Sequence, residues 1–178
     1  MKNLLLIVVC IVFVGCSSKE LSRDKAFELI VQSKKYPQVY DKNIFAGDPE
    51  HAEKASKTNL EKLGYITFNR QRKFLDDRPY IEFTQKAKPF LLETPKSDME
   101  NQVQKVKISD VVLGEVTGVK MLNENKSAVV DYTIKYINIT PFVELYPGKF
   151  SQTDTVKAYF SLFDDGWRIE NKPGSEFM

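Results

Sequence analysis

Hydrophobic positions follow two different periods along the chain. Over residues 22–64, apolar side chains recur at the three- to four-residue spacing of amphipathic helices. Ser22 stands where an N-cap is expected, and Pro37 ends the helix that follows it. Asp48 and Pro49 form a second N-cap and first helical position, and Gly64 fits the residue after the last helical turn. The pattern therefore predicts one helix between Ser22 and Pro37 and another between Asp48 and Gly64.

The carboxyl-terminal half alternates apolar and polar residues instead, which is typical of strands with one buried face. The predicted strands lie in segments 103–121, 128–137, 156–163 and 167–170. Gly114 and Gly118 mark bends or bulges in the first segment, which is one long strand or two shorter ones. Asp164, Asp165 and Gly166 form a hairpin turn between the last two. The prediction is an antiparallel meander of four to five strands.

A shorter hairpin precedes the meander. Residues 65–68 and 80–83 read as two strands joined by a polar, basic loop. With LEKLGYI (60–66) before this hairpin and TQKAKPFL (84–91) after it, segment 22–92 resembles a winged-helix module. That resemblance implies the end of a recognition helix, a wing and the turn that follows. The closing DDGWRIE (164–170) resembles the last hairpin of cystatin-like and NTF2-like curved sheets.

The fold class predicted is α+β, with a helical, winged-helix-like part packed against the antiparallel meander. The predicted division is a cleaved signal peptide (1–15), a lipidated tether (16–21), a winged-helix-like part (22–92), a linker (93–101) and a β-sheet part (102–178).

The sequence of the amino terminus predicts where in the cell the protein is located. Lys2 precedes an apolar run over residues 4–15, which is shorter than the about 20 residues that cross a bilayer and has the size of a signal-peptide core. Phe13-Val14-Gly15-Cys16 then resembles the lipobox of bacterial lipoproteins. The resemblance implies a diacylglyceryl group on Cys16, cleavage after Gly15 and acylation of the new amino terminus. It also implies a cell-envelope location outside the cytoplasm, in the outer membrane if the cell is Gram-negative. The alternative is that Cys16 merely ends a buried or spanning helix.

The composition excludes several classes of protein and several kinds of reactive site. The 178 residues are 42% hydrophobic and 28% charged, with 26 basic and 24 acidic side chains, which excludes a disordered polyelectrolyte and a polytopic membrane protein. Cys10 leaves with the signal peptide and lipid caps Cys16, so no thiol chemistry is expected in the mature chain. His51, expected to be exposed in the first turn of the second helix, has no second His to join it. No catalytic or nucleotide-binding motif is present, so a non-enzymatic protein without metal or cofactor is expected.

Two surface features are candidates for binding. The basic loop of the short hairpin carries a candidate patch: Arg70, Arg72, Lys73 and Arg78. Because an envelope location excludes nucleic acid, its expected partners are anionic lipid, an acidic glycan or an acidic protein. The alternative is an ordinary solvated face.

The second candidate is the long apolar loop over residues 138–150. Loops of this length in compact domains are often functional. The predicted ligand or partner surface is Pro141, Phe142, Leu145, Tyr146 and Phe150. The alternative is that these side chains plug the sheet or pack on the helical half.

Three functions follow from these features. The leading hypothesis is a lipid-anchored, non-enzymatic interaction module. The first alternative is a carrier or sensor of a small apolar or amphipathic ligand, in a pocket lined by Phe142, Tyr146, Phe150, Tyr132 and Phe160. A weaker alternative is a hydrolase that uses the carboxylates of Asp110, Glu115, Asp131 and Glu144.

Overall fold

The computed structural model describes residues 20–71, 76–146 and 148–177. Cys16 and the predicted signal peptide lie outside these residues, as do Arg72 and Lys73. The α-helices of the described residues are Arg23–Lys34 (α1), Pro49–Ser56 (α2) and Lys96–Glu100 (α3). The strands are Gln38–Phe45 (β1), Ile66–Phe68 (β2), Ile81–Phe83 (β3), Val103–Leu122 (β4), Ser127–Ile137 (β5), Thr153–Phe163 (β6) and Gly166–Glu170 (β7). Short 3₁₀ helices cover Gln85–Phe90, Pro141–Leu145 and Ser175–Phe177.

The main sheet confirms a mixed helix and sheet fold with an antiparallel meander. Its five strands lie in the order β1-β4-β5-β6-β7 and are antiparallel throughout, and the sheet is curled into a half-barrel. The meander β4 to β7 was predicted, and of the two alternatives for its first segment the structure has the single long strand β4. The fifth strand was not predicted, because it comes from the helical half: β1 pairs with β4 from Gln38 opposite Val111 to Phe45 opposite Val103.

The bends predicted in the first strand of the meander are present as register shifts. The pairing of β4 with β5 shifts between Leu113 and Val116 and again between Val116 and Gly118. A Cβ on Gly114 would lie 2.3 Å from the hydroxyl oxygen of Thr133, so only glycine allows the two strands to approach this closely. These irregularities let the long strand β4 curve with the sheet.

Both predicted N-caps are present. The Ser22 side chain accepts a hydrogen bond from the backbone N–H of Lys25 at 3.1 Å. The Asp48 carboxylate accepts hydrogen bonds from the backbone N–H groups of Glu50 and His51 at 2.7 and 3.3 Å. Each cap satisfies helix donors that would otherwise lack a partner.

The second helix is shorter than predicted. It ends at Ser56, and the Thr58 hydroxyl then accepts a hydrogen bond from the backbone N–H of Leu60 at 3.3 Å, a local bond that competes with helix continuation. A separate turn follows, and the backbone N–H of Tyr65 donates to the carbonyl of Leu60 at 2.9 Å. Gly64, with φ of 77°, therefore ends this short turn and not the helix itself. The short hairpin predicted between residues 65 and 83 is present as the pair β2–β3.

Two hydrophobic clusters form the interior. The hairpin core consists of Ile44, Ala46, Ala55, Leu60, Ile66, Ile81, Ala87, Val106, Ile108 and Phe142. The α1 core consists of Leu21, Ala26, Ile30, Val116, Ala128, Val130, Tyr132, Ala158 and Phe160. Each cluster draws side chains both from segment 22–92 and from segment 102–178. Among the residues that the structure describes, no helix is long and apolar enough to cross a membrane.

Candidate binding surface

The long loop between β5 and β6 is fixed to the sheet at its start. Thr140 is buried, its backbone N–H donates to the carbonyl of Ile108 at 2.8 Å, and its hydroxyl donates to the carbonyl of Lys107 at 2.6 Å. The same hydroxyl oxygen accepts a hydrogen bond from the backbone N–H of Phe142 and so caps the helix Pro141–Leu145. The loop therefore starts from a defined position on β4.

The far end of this helix is held from two sides. The ammonium group of Lys42 on β1 donates to the carbonyl of Leu145 at 2.9 Å. The carboxylate of Glu144 accepts hydrogen bonds from the backbone N–H and the side-chain amide of Asn59, at 2.6 and 3.2 Å. These contacts preorganise the loop, so a partner would not have to order it on binding.

Phe142 is a core residue rather than part of the predicted surface. Its side chain is fully buried, and its ring centroid lies 6.2 Å from those of Tyr65 and Phe83 and 6.3 Å from that of Phe90. Burial among aromatic rings contributes more stability than exposure of the same ring could. At this position the alternative interpretation, packing on the helical half, holds.

Two residues of the loop, Tyr146 and Phe150, form an aromatic cluster at the surface together with two residues of the sheet, Tyr40 and Tyr136. Ring centroids lie 5.0 Å apart for Tyr136 and Phe150, 5.2 Å for Tyr146 and Phe150, and 5.7 Å for Tyr40 and Tyr136. Tyr40 comes from β1 and Tyr136 from β5, on either side of β4, and the loop lays the other two rings over them. Tyr146 is 38% exposed, whereas the other three are half-buried.

The cluster has a polar side at Asp154. The hydroxyl of Tyr136 donates to the Asp154 carboxylate at 3.0 Å. Burial, then this hydrogen bond and the charge of Asp154, raise the pKa of Tyr136 to about 12. Burial, with Tyr146 and Asp154, also raises the pKa of Tyr40. These hydroxyls therefore act as neutral hydrogen-bond donors and acceptors at physiological pH.

Because several tyrosines have raised pKa values, we expect the free energy of unfolding to fall at high pH. Burial also raises the pKa of Tyr132 in the α1 core, so Tyr40, Tyr132 and Tyr136 hold their protons in the folded state above the ordinary value of 10.0. Their contribution is complete below about pH 10 and is lost as the pH rises through the folded pKa values, because the unfolded chain then binds fewer protons. The free energy of unfolding in urea should fall from about pH 10 to about pH 12.

A matched variant tests that assignment. Replacing Tyr136 by phenylalanine removes one of the titrating hydroxyls and should make the decline shallower than in the unchanged chain. A free energy of unfolding that stays flat above about pH 10, in both chains, would contradict the account.

The described members of the basic patch are paired with acids. The guanidinium of Arg70 forms two hydrogen bonds to the Glu61 carboxylate, at 2.7 and 2.6 Å, and lies over the ring of Phe68. The guanidinium of Arg78 is bonded to the carboxylate of Asp76 at 2.6 Å. Each arginine thus carries its own counter-charge, and the local positive field is smaller than the sequence indicates.

Three of the four carboxylates proposed for hydrolysis are engaged separately, and Glu115 is exposed. Lys107 and Asn138 hydrogen-bond the carboxylate of Asp110 and hold its pKa below the ordinary range. Asp131 is paired with Lys157 at 3.0 Å, and Glu144 holds the loop as described. Within the described residues no group of three His, Cys, Asp or Glu side chains is placed to hold a metal ion.

The side chains proposed to line a carrier cavity are split between different environments. Tyr132 and Phe160 are fully buried in the α1 core, and Phe142 is fully buried in the hairpin core. Only Tyr146 and Phe150 remain at the surface among the five residues. The five side chains therefore do not line one continuous cavity.

Two residues of this surface were missed by the sequence analysis. Tyr40 supports the aromatic cluster, and Lys42 fixes the end of the loop helix. Both lie on β1, whose sequence QVYDKNIF contains four β-branched or aromatic residues but no regular alternation. That enrichment, between Pro37 and Asp48, was the available indication of a strand. His51, expected to be exposed, is half-buried instead, against Phe45.

Comparison of the chain with known proteins finds no matching family model, no matching curated protein and no matching solved structure. Its function therefore has to be inferred from the chain's own residues and their arrangement.

Proposed function

We propose that this chain is a lipid-anchored protein of the bacterial cell envelope, attached through Cys16, and that its folded part is a non-enzymatic binding module. The attachment is supported by the lipobox-like Phe13-Val14-Gly15-Cys16 that follows a short apolar run. The tether between the lipid and the folded part would end before Leu21, because that side chain is buried in the α1 core.

The observation that carries the binding role is the exposure of Tyr146 on a rigid base. Its ring packs on Phe150 and its backbone follows a helix that is held by β1 and β4. Tyrosine is enriched at protein interfaces because it offers a large apolar face and a polar hydroxyl at low entropic cost. A preorganised, exposed tyrosine with aromatic neighbours is therefore suited to anchor a partner.

The proposed partners are another envelope protein, anionic lipid or a glycan, and not nucleic acid. The aromatic cluster favours a partner with a flat apolar face, and Asp154 offers an acceptor at its edge. The winged-helix-like interpretation of segment 22–92 belongs to this proposal too, with the β2–β3 hairpin as the wing. In this setting the wing would contribute protein or lipid contacts instead of DNA contacts.

Site-specific photo-cross-linking tests the binding role. A photoreactive phenylalanine analogue at position 146, in the lipidated chain in its own cells, should yield a discrete cross-linked product. The matched control is position 163, because Phe163 is also an exposed aromatic residue, at 46%, but lies on β6 outside the cluster. Product of equal yield at both positions would contradict a specific surface.

A further inference from the structure

A pocket lies beside the aromatic cluster. It lies between β1, α2 and the helix Pro141–Leu145, has a volume of about 230 Å³, and is lined by Lys42, Ile44, His51, Lys54, Ala55 and Leu145. Pockets that enclose whole small molecules have about 300–1,000 Å³. This pocket is smaller than that range and accommodates a small ligand or one end of a larger ligand.

Two lysines line the pocket, and each ammonium group has more donors than the hydrogen bond described for it uses. Each lysine ammonium has three N–H donors. Lys42 directs one to the carbonyl of Leu145, and Lys54 directs one to the carboxylate of Glu50, at 2.9 and 2.6 Å. Glu50 also raises the pKa of Lys54, through its hydrogen bond and then its charge, so this ammonium is charged at neutral pH.

His51 supplies a further polar edge. Its Nδ1 accepts a hydrogen bond from the backbone N–H of Phe45 at 3.3 Å, and its ring lies against the Phe45 ring with centroids 4.9 Å apart. In the neutral ring the proton is then on Nε2, which is the donor that His51 has left for a ligand. The ring orientation is fixed by both contacts.

We infer that this pocket binds the phosphate or carboxylate group of a ligand. Two lysines and a histidine line the pocket and offer ammonium and imidazole donors, and charge-assisted hydrogen bonds to an oxyanion are the strong ones in proteins. The carbons of Ile44, Ala55 and Leu145 complete the wall and accommodate the carbon atoms next to that group. The pocket shares Lys42 with the support of the Tyr146 surface, but oxyanion binding there does not depend on the lipid anchor or on a partner at Tyr146.

The ion pair of Lys57 with Glu53 provides a matched control for the ion pair of Lys54 with Glu50. Lys54 pairs with Glu50 and Lys57 pairs with Glu53, both four residues apart, at 2.6 and 2.7 Å and with similar exposure. Only Lys54 lines the pocket. A general attraction of anions to the protein surface would treat the two lysines alike, whereas a specific site distinguishes them.

To test the site, inorganic phosphate is titrated into the full chain in nonionic detergent micelles, and acetate is titrated in a separate experiment. Binding is followed by the changes in the backbone ¹H–¹⁵N chemical shifts. Shifts should concentrate at Lys42, His51 and Lys54. Lys42→Ala and Lys54→Ala should each weaken phosphate binding by about fivefold or more, because each removes a charge-assisted donor. Lys57→Ala should leave the affinity unchanged.

A gain of affinity separates the inference from simple misfolding. Glu50→Gln removes the carboxylate that competes for Lys54, so phosphate should bind about twofold to fivefold tighter. Glu53→Gln should have no such effect. Shifts spread over the whole surface, equal losses for Lys54→Ala and Lys57→Ala, or equal gains for the two glutamine variants would overturn the site.

One further arm identifies the source of the oxyanion. Phosphatidylcholine vesicles with and without phosphatidylglycerol are added to a chain that lacks residues 1–16, and with them the lipidated Cys16, once its unchanged spectrum shows that it is folded. Binding to the anionic vesicles that is lost in Lys42→Ala indicates a lipid headgroup. Phosphate binding without vesicle binding indicates a soluble ligand, and both results support the pocket.

Discussion

Replacing Phe142 by alanine should lower the free energy of unfolding by about 3–5 kcal/mol. The side chain is fully buried and touches aromatic rings from β3, from the segment before β2 and from the helix Gln85–Phe90. Its removal leaves a cavity where the loop, the short hairpin and β4 meet, and the neighbouring backbone cannot collapse into it fully. Urea unfolding followed by the fluorescence of Trp167 measures the change.

The control for this variant lies four residues further along the same loop. Tyr146→Ala removes a ring of comparable size that is 38% exposed, so its cost should be about 1 kcal/mol or less. Equal losses in the two variants would contradict the division of the loop into a buried half and a presented half.

Replacing Cys16 by serine should abolish lipidation completely. The hydroxyl cannot form the thioether to diacylglycerol, and the resemblance to lipoproteins implies that processing after Gly15 then fails as well. Cells grown with labelled palmitate should incorporate label into the unchanged chain and none into the variant. The variant should also migrate as the longer, unprocessed chain.

The control is Cys10→Ser, which changes the other cysteine and lies within the predicted signal peptide. That variant should be labelled like the unchanged chain. Label in neither the unchanged chain nor Cys10→Ser, or label in Cys16→Ser, would contradict the anchor. Acyl chains contribute about 0.8 kcal/mol per buried CH₂ group, so the labelled chain should remain with membranes through repeated washing.

Local sequence signals predicted the elements whose causes are local. The N-caps at Ser22 and Asp48 satisfy neighbouring backbone donors, and the Asp164-Asp165 turn connects adjacent strands. The strands β4, β5 and β6 follow from alternation along their own residues. In each case the stabilising partner lies within a few residues or on the next strand of the meander.

The remaining features depend on contacts between distant residues. Strand β1 is stabilised by pairing with β4, more than fifty residues later, and its alternation is broken by charged residues such as Asp41 and Lys42. The helix after Pro49 stops at Ser56 where Thr58 bonds locally, while Glu144 from the distant loop binds the next backbone N–H.

The candidate binding surface could be predicted in part for the same reason. An apolar loop drew attention to Phe142 and Tyr146 alike, because composition does not distinguish a buried ring from an exposed one. Only tertiary contacts do so: Phe142 faces the hairpin core, and Tyr146 packs beside Phe150 with one side in solvent. Tyr40 and Lys42 join the site because β4 brings β1 next to β5.

The most direct test of the central claim, that an anchored fold presents the Tyr146 surface to an envelope component, is the yield of cross-linked product at position 146 relative to position 163 in intact cells. We expect a discrete product at position 146 that is absent at position 163 and that disappears when Phe150 is also replaced by alanine, because the ring then loses its support. No product at either position, or the same products at both, would contradict the claim.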